Sequence, residues 1–118
     1  MKTSALLISL LLILGIQTSC NKNGSNDKTK PFIELIGNPY MNWPLGTDFV
    51  DPGAKVYDVN ETNDTIDISF RLETSGNVNS DIEGSYELKY NASDEAGNLA
   101  DEQIRSIKVL ISKYGSAK

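Results

Sequence analysis

Carboxylates are the only side chains of this sequence that could perform acid–base catalysis near neutral pH. The chain contains no histidine and a single cysteine, Cys20. This excludes Ser-His-Asp and Cys-His nucleophile activation and the usual zinc ligand sets. A glycosidase needs two facing carboxylates, but Asp94 with Glu95 and Asp101 with Glu102 are adjacent pairs, and adjacent strand residues point to opposite faces. We therefore predict no catalytic residues and no enzyme activity.

Clustered loop oxygens are a second kind of site, because hard cations such as calcium take Asp and Asn oxygens. Four such residues could meet at one end of a β-sandwich: Asp51, Asp58, Asp94 and Asn98. Asp94 and Asn98 are, however, turn-forming residues around Gly97, and the chain has no Asp-x-Asp-x-Asp-Gly loop. We expect no metal site and no cofactor.

Exposed aromatic rings beside adaptable polar groups would form a sugar-binding or peptide-binding surface. The available tyrosines are Tyr40, Tyr57 and Tyr114, and the loop at residues 60–64 offers amides and carboxylates. The predicted ligand-binding residues are Tyr40, Tyr57, Asn60 and Asn63. The alternative is that each tyrosine packs one ring face and leaves its hydroxyl in water. The formal net charge of −5 provides no basic surface, so we expect no nucleic-acid partner.

The N-terminus has the order of an export signal. Lys2 is the only charge before an apolar run at residues 5–16, and two small residues precede Cys20. The run is shorter than the roughly 20 residues of a membrane-spanning helix. A signal ending on cysteine resembles the lipobox of bacterial lipoproteins, with Gln17 where an aliphatic residue is usual. The resemblance implies cleavage after residue 19 and a membrane anchor through lipid on Cys20; the alternative is an ordinary secretory signal.

Composition divides the chain into four parts. Residues 1–19 are the predicted signal peptide, and residues 20–30 are a polar tether that carries Gly and Ser. Residues 31–112 have the size of one small domain with a single core, and residues 113–118 form a tail.

Short apolar runs separated by turn residues predict an all-β domain. Alternation of apolar and polar residues is regular at 66–72, 86–92 and 105–111, which predicts three central strands, the first with Ile66, Ile68, Phe70 and Leu72 on its buried face. The seven predicted strands are 32–36, 40–45, 54–59, 65–73, 78–82, 85–93 and 99–111. Seven short strands in about one hundred residues are typical of an immunoglobulin-like β-sandwich.

Two aromatic residues support this fold. Tyr86 follows Gly84 at the start of a late strand, as in the tyrosine corner, where the hydroxyl bonds to upstream backbone. Leu88 stands where antibody domains have their second cysteine, so packing replaces the disulfide. Trp43 shares a face with Met41 in an extended run, and we predict that it lies in the core or at the core rim.

Several short motifs occur in a characteristic order over residues 31–112. They are LG at 45–46, FVDPGA at 49–54, VYD at 56–58, GSY at 84–86, ASDEAGN at 92–98 and RSIKV at 105–109. Together they resemble the bacterial Ig-like domain first recognised in a pesticidal crystal protein. The resemblance implies an immunoglobulin-like fold on an exported or surface protein, with no shared catalytic residue. Asp64-Thr65-Ile66 also resembles a three-residue O-glycosylation motif of exported Gram-negative proteins.

These features predict a lipid-anchored protein of the bacterial outer membrane that faces the periplasm or the outside. We expect a non-catalytic module that binds a protein or carbohydrate partner. The alternative is a structural spacer or accessory subunit of an outer-membrane complex without its own ligand.

Overall fold

The computed structural model describes residues 26–113, which form seven strands and one 3₁₀ turn. Cys20 and Tyr114 lie outside the described residues. The strands are β1 (Phe32–Leu35), β2 (Tyr40–Pro44), β3 (Ala54–Val59), β4 (Thr65–Asp67), β5 (Glu73–Ser75), β6 (Gly84–Asn91) and β7 (Gln103–Leu110). The 3₁₀ turn, Ser69–Arg71, lies between β4 and β5. Within this part of the chain no helix is long and apolar enough to cross a membrane.

The strands form two sheets. The three-stranded sheet has the order β1-β3-β4, and all its pairs are antiparallel. The four-stranded sheet has the order β2-β7-β6-β5, in which β2 runs parallel to β7 and the other pairs are antiparallel. The predicted central positions of β6 and β7 are therefore confirmed, as is the all-β immunoglobulin-like sandwich of seven strands.

One core lies between the two sheets, built from alternate residues of their strands. The three-stranded sheet contributes Ile33, Ala54 and Val56, and the four-stranded sheet contributes Leu88, Tyr90, Ile107 and Val109. Each of these side chains is at most 8% exposed. Leu88, Tyr90, Ile107 and Val109 thus face the core as predicted. The alternation also predicts Ile111 on this face, but Ile111 follows the end of β7 and is 59% exposed.

The two aromatic predictions are confirmed. The Tyr86 hydroxyl donates a hydrogen bond to the Ile82 carbonyl at 2.8 Å, which is the tyrosine-corner contact. Trp43 is half-buried at the core rim. Its indole Nε1 donates to the Thr47 carbonyl at 2.8 Å, and its ring meets Phe49 edge-on at a centroid distance of 5.0 Å.

The prediction of one continuous strand at residues 65–73 is wrong, because the chain changes sheets here. The Asp67 carboxylate accepts hydrogen bonds from the Ser69 backbone N–H and hydroxyl, which ends β4 and starts the 3₁₀ turn. The hydrogen bond from the Ser69 hydroxyl, followed by that from its backbone, lowers the pKa of Asp67. Phe70 consequently points to solvent and is 81% exposed, and Ile66 is 45% exposed.

Only Ile68 and Leu72 of the predicted buried face pack against the core. The Ser69 hydroxyl also accepts a hydrogen bond from the Val56 N–H at 3.0 Å, which fastens the turn to β3. An alternating pattern cannot distinguish one straight strand from two short strands joined by a turn. Either arrangement can bury Ile68 and Leu72, so the pattern looks the same in both cases.

The predicted strand at residues 78–82 is also wrong. Asn79 accepts a hydrogen bond from the Asp81 N–H through its side chain and one from the Ile82 N–H through its carbonyl. Such side-chain-to-backbone bonds favour a turn over a strand. Ile82 is 58% exposed, and its carbonyl accepts the hydrogen bond of the tyrosine corner.

Candidate functional site

The four residues predicted to bind a ligand do not form one site. Tyr40 lies on β2 in the four-stranded sheet, whereas Tyr57 lies on β3 in the three-stranded sheet. Met41, which follows Tyr40, packs against the core, and Val56, which precedes Tyr57, lies in it. The two rings therefore lie on the outer faces of opposite sheets.

The loop between β3 and β4 uses its asparagines to form turns. The Asn60 side-chain oxygen accepts hydrogen bonds from the Thr62 N–H (3.0 Å), the Thr62 hydroxyl (2.7 Å) and the Asp64 N–H (2.8 Å). Asn63 has a φ of 61°, the left-handed conformation that Asn tolerates better than most residues. Both asparagines thus have structural roles in a loop next to Tyr57.

Tyr57 packs one face of its ring, as expected if it is a structural tyrosine and not a ligand-binding one. Its ring lies 5.5 Å from that of Phe32, at an interplanar angle of 33°, on the outer face of the three-stranded sheet. The side chain is half-buried. A neighbouring groove of about 320 Å³ runs past Glu34 and Lys55, which face each other across β1 and β3.

Of the two described tyrosines predicted to bind a ligand, Tyr40 is the one that the structure leaves open, with 75% of its surface exposed. It borders an open groove of about 290 Å³ on the outer face of the four-stranded sheet. The side chains on this face belong to residues that alternate with the core residues of β2, β6 and β7. Those that line the groove are Asn42, Ser85, Ser106 and Lys108.

Strand register arranges these polar groups in rows across the sheet. Tyr40 lies opposite Ser106, which lies opposite Glu87; Asn42 lies opposite Lys108, which lies opposite Ser85. An exposed ring on the edge strand β2 thus lies beside the Asn42 amide of the same strand and beside hydroxyl, ammonium and carboxylate groups of β6 and β7. Such a surface can stack on an apolar ring face and hydrogen-bond to the groups at its rim.

Three carboxylates meet at the end of the sandwich near the β6–β7 loop. The oxygens of Asp27, Asp58 and Asp94 lie within 4.8 Å of one another. Asp94 is only 4% exposed, and its two oxygens accept hydrogen bonds from the backbone N–H and side-chain amide of Asn98. Of the calcium ligands considered from the sequence, this cluster contains Asp58 and Asp94 but not Asp51. The three could contribute oxygens to a hard cation, although calcium takes six to eight.

Asp51 belongs instead to a buried polar network. It accepts a hydrogen bond from the Tyr90 hydroxyl at 2.6 Å, and its carboxylate lies 3.5 Å from Nε of Arg105. Arg105 is fully buried and donates to the carbonyls of Ile36 (2.7 Å) and Gly53 (2.9 Å). Burial, followed by the Asp51 hydrogen bond, raises the pKa of Tyr90 to about 12. This network joins the β1–β2 and β2–β3 loops to the core. It gives a structural role to Asp51 of the FVDPGA motif and to Arg105 of the RSIKV motif.

Sequence reasoning missed both Arg105 and Asp27. Arg105 occupies an inward position of β7, between the exposed Ile104 and the half-buried Ser106. A charged residue at a core position of an alternating strand is a signal for a buried ion pair. Asp27 gave no such signal, because it lies in a polar segment of low complexity.

Comparison with known proteins gives a family match over most of the described domain. Residues 33–109 match the family of bacterial surface proteins with an Ig-like domain. This confirms the bacterial Ig-like part of the resemblance drawn from the motifs. No curated protein matches the chain.

A solved structure is also similar, that of the lipoprotein BT2262 from Bacteroides thetaiotaomicron. The TM-score is 0.58 at 25% sequence identity, and the match covers 75% of this chain. This chain spans 41% of the length of that lipoprotein. Both comparisons support a module of the bacterial cell envelope. The chain belongs to the family of bacterial surface Ig-like domains.

Proposed function

We propose that this protein is a lipid-anchored, non-catalytic module of the bacterial outer membrane that binds a carbohydrate through the outer face of its four-stranded sheet. The exposure of Tyr40 supports this proposal most strongly. A sugar ring stacks its C–H groups on a tyrosine ring, while its hydroxyls hydrogen-bond to side chains such as Asn42, Ser106 and Lys108. These groups lie on strands whose inward residues are the core, so the surface is held in place before a ligand arrives.

The anchor is proposed from the signal sequence that ends at Cys20 and is supported by the structural similarity to a lipoprotein. A single acyl chain binds membranes only marginally, so stable anchoring requires several chains on that residue. Intact mass of membrane-extracted protein should show a diacylglycerol-modified Cys20 as the N-terminus. A mature chain with a free Cys20 thiol, or one that starts elsewhere, would contradict the anchor. We also propose that the domain faces the periplasm or the outside of the cell, and that it is of the type first recognised in a pesticidal crystal protein.

A binding screen tests the sugar-binding surface. The full chain, purified in detergent, is applied to an array of polysaccharides, and hits are measured by calorimetry. Tyr40→Ala should weaken binding at least tenfold, because it removes the stacking platform. Tyr57→Ala is the matched control, since it removes a tyrosine from the outer face of the other sheet. Equal losses for both variants, or a ligand class that contains only proteins, would overturn the carbohydrate proposal.

The second candidate is a spacer or accessory subunit, and Phe70 favours it. This ring is 81% exposed on the 3₁₀ turn that joins the two sheets, with the Arg71 guanidinium 5.3 Å from its centroid. An exposed aromatic with an arginine beside it is a common anchor of protein interfaces. Capture of a membrane partner that Phe70→Ala abolishes and Tyr40→Ala leaves intact would support this second candidate.

A further inference from the structure

We propose that residues 27–30 are a strap that docks onto the β6–β7 loop and turns this end of the sandwich toward the membrane. The inference on membrane orientation rests on the proposed lipid at Cys20, whereas the docking itself does not. Sequence composition predicts a tether over residues 20–30, but the structure places its second half against the domain. The docked strap would leave residues 21–26 as the connection between anchor and domain.

The strap contacts the loop through its backbone and one side chain. The Asn98 side-chain amide donates to the Asp27 carbonyl at 3.0 Å, and Lys30 Nζ lies 3.1 Å from Asp101 Oδ1. Within the strap, the Thr29 N–H donates to the Asp27 carboxylate at 2.8 Å. The next residue, Pro31, is buried at the start of the domain. Two separate points of the loop therefore hold the strap.

Asn98 is prepared for this contact by its own loop. Its N–H and its side-chain amide both donate to Asp94, at 2.8 and 2.7 Å, and Asp94 is almost completely buried. The amide that reaches the Asp27 carbonyl is thus fixed before the strap docks, which lowers the entropy lost on docking. The Asn98 contact should dominate, because the Lys30–Asp101 pair is exposed and exposed ion pairs contribute little.

A like-charge contact opposes the docking. The Asp27 carboxylate lies within 4.8 Å of those of Asp58 and Asp94, and like charges at this separation repel each other. The strap is therefore held by hydrogen bonds against an unfavourable electrostatic interaction. A test of docking must be made in chelator, so that no divalent ion can bridge the three carboxylates.

The docked strap holds the end of the domain at which β1 begins close to the anchor. The β6–β7 loop lies between Asn91 and Gln103, and the opposite end of β7 pairs with β2 at Pro44 and β6 at Gly84. From Cys20 to Asp27 an extended chain reaches about 25 Å, whereas from Cys20 to Pro31 it reaches about 40 Å. Docking thus shortens the connection and prevents the sandwich from rotating freely about Pro31.

Limited proteolysis of the full chain in chelator tests the docking. Trypsin should cleave after Lys22 at least ten times faster than after Lys28, because the strap holds the second site. Asn98→Ala should raise cleavage after Lys28 several-fold without changing cleavage after Lys22, and Asp101→Asn should raise it about twofold. Asn91→Ala is the matched control, since Asn91 also lies at this end but its side-chain amide donates to Glu102, which is outside the strap. Equal cleavage after Lys22 and Lys28, or no increase in cleavage after Lys28 in either Asn98→Ala or Asp101→Asn, would overturn the proposal.

Energy transfer to a membrane dye tests the orientation. Lipidated protein in phosphatidylglycerol vesicles is labelled with a donor at Glu95→Cys, in the β6–β7 loop, or at Asp81→Cys, at the opposite end. Transfer to a headgroup acceptor should be at least twofold greater from position 95, and Asn98→Ala should reduce this difference. Equal transfer from the two positions would overturn the orientation. Protein that does not bind the vesicles would contradict the anchor, while the proteolysis result would still decide the docking.

Discussion

Arg105 and Asp51 face each other inside the domain, with the guanidinium Nε 3.5 Å from a carboxylate oxygen. Arg105 has no exposed surface, and its Nη2 donates to both the Ile36 and Gly53 carbonyls. One buried cation therefore fastens the β1–β2 and β2–β3 connections to β7. A charge buried in this way is tolerated only when it is paired and hydrogen-bonded.

Removing the cation should destabilise the domain strongly. Arg105→Met leaves Asp51 without its cation and the Ile36 carbonyl without the Arg105 donor, while the Gly53 carbonyl keeps the hydrogen bond from the Ile36 N–H. Breaking one side of a buried pair costs about 3 to 5 kcal/mol. The measurement is the free energy of unfolding in urea at pH 7. Asp101→Asn, which breaks the exposed pair with Lys30, is the control and should cost no more than about 1 kcal/mol. Similar losses for the two variants would show that the buried pair has no special role.

Stability should fall in alkaline solution because of Tyr90. Its pKa in the folded protein is about 12, whereas an unperturbed tyrosine has a pKa of about 10. Between these values the unfolded chain loses the proton and the folded chain keeps it, so stability decreases as pH rises. This contribution is complete below pH about 10 and is lost by about pH 12, and it amounts to about 2 to 3 kcal/mol.

Tyr90→Phe isolates this effect because it removes the titrating hydroxyl and keeps the ring. Urea unfolding of both proteins from pH 9 to 12 should give curves that converge as pH rises, since only the wild type loses the Tyr90 contribution. Parallel curves would mean that Tyr90 does not titrate with a raised pKa.

Phe70→Ala should change stability by less than about 0.5 kcal/mol, because the ring is exposed and surface substitutions are usually near neutral. Ile107→Ala, in the core at 1% exposure, should cost about 2 to 5 kcal/mol. Urea melts of the two variants give the comparison. A loss of several kcal/mol for Phe70→Ala would restore the buried strand that the sequence pattern predicts at residues 65–73.

Tyr86→Phe should cost about 1 kcal/mol, the typical net value of one hydrogen bond. The variant keeps the half-buried ring and removes only the contact with the Ile82 carbonyl. Tyr40→Phe, at a tyrosine that is 75% exposed, is the control and should be neutral in thermal melts. A neutral Tyr86→Phe would show that the tyrosine corner does not stabilise the turn at residues 79–83.

Local pattern was sufficient for the sandwich and its two longest strands. Alternation along residues 105–111 placed Ile107 and Val109 in the core, because successive strand residues point to opposite faces wherever the strand lies. The tyrosine corner could also be predicted, since its donor and acceptor are four residues apart. In each case the deciding interactions lie within one strand or one turn.

Tertiary structure alone decided where the chain changes sheets and which predicted site residues are neighbours. Residues 65–73 alternate without error, yet Asp67 and Ser69 form a turn because the chain must cross between layers at that point. Tyr40 and Tyr57 were grouped by residue type, but strand order assigns them to opposite sheets. Asp51 and Arg105, 54 positions apart in the sequence, meet only when β7 passes the β2–β3 loop. Sheet assignment depends on contacts between distant segments, and a local sequence pattern carries no information about them.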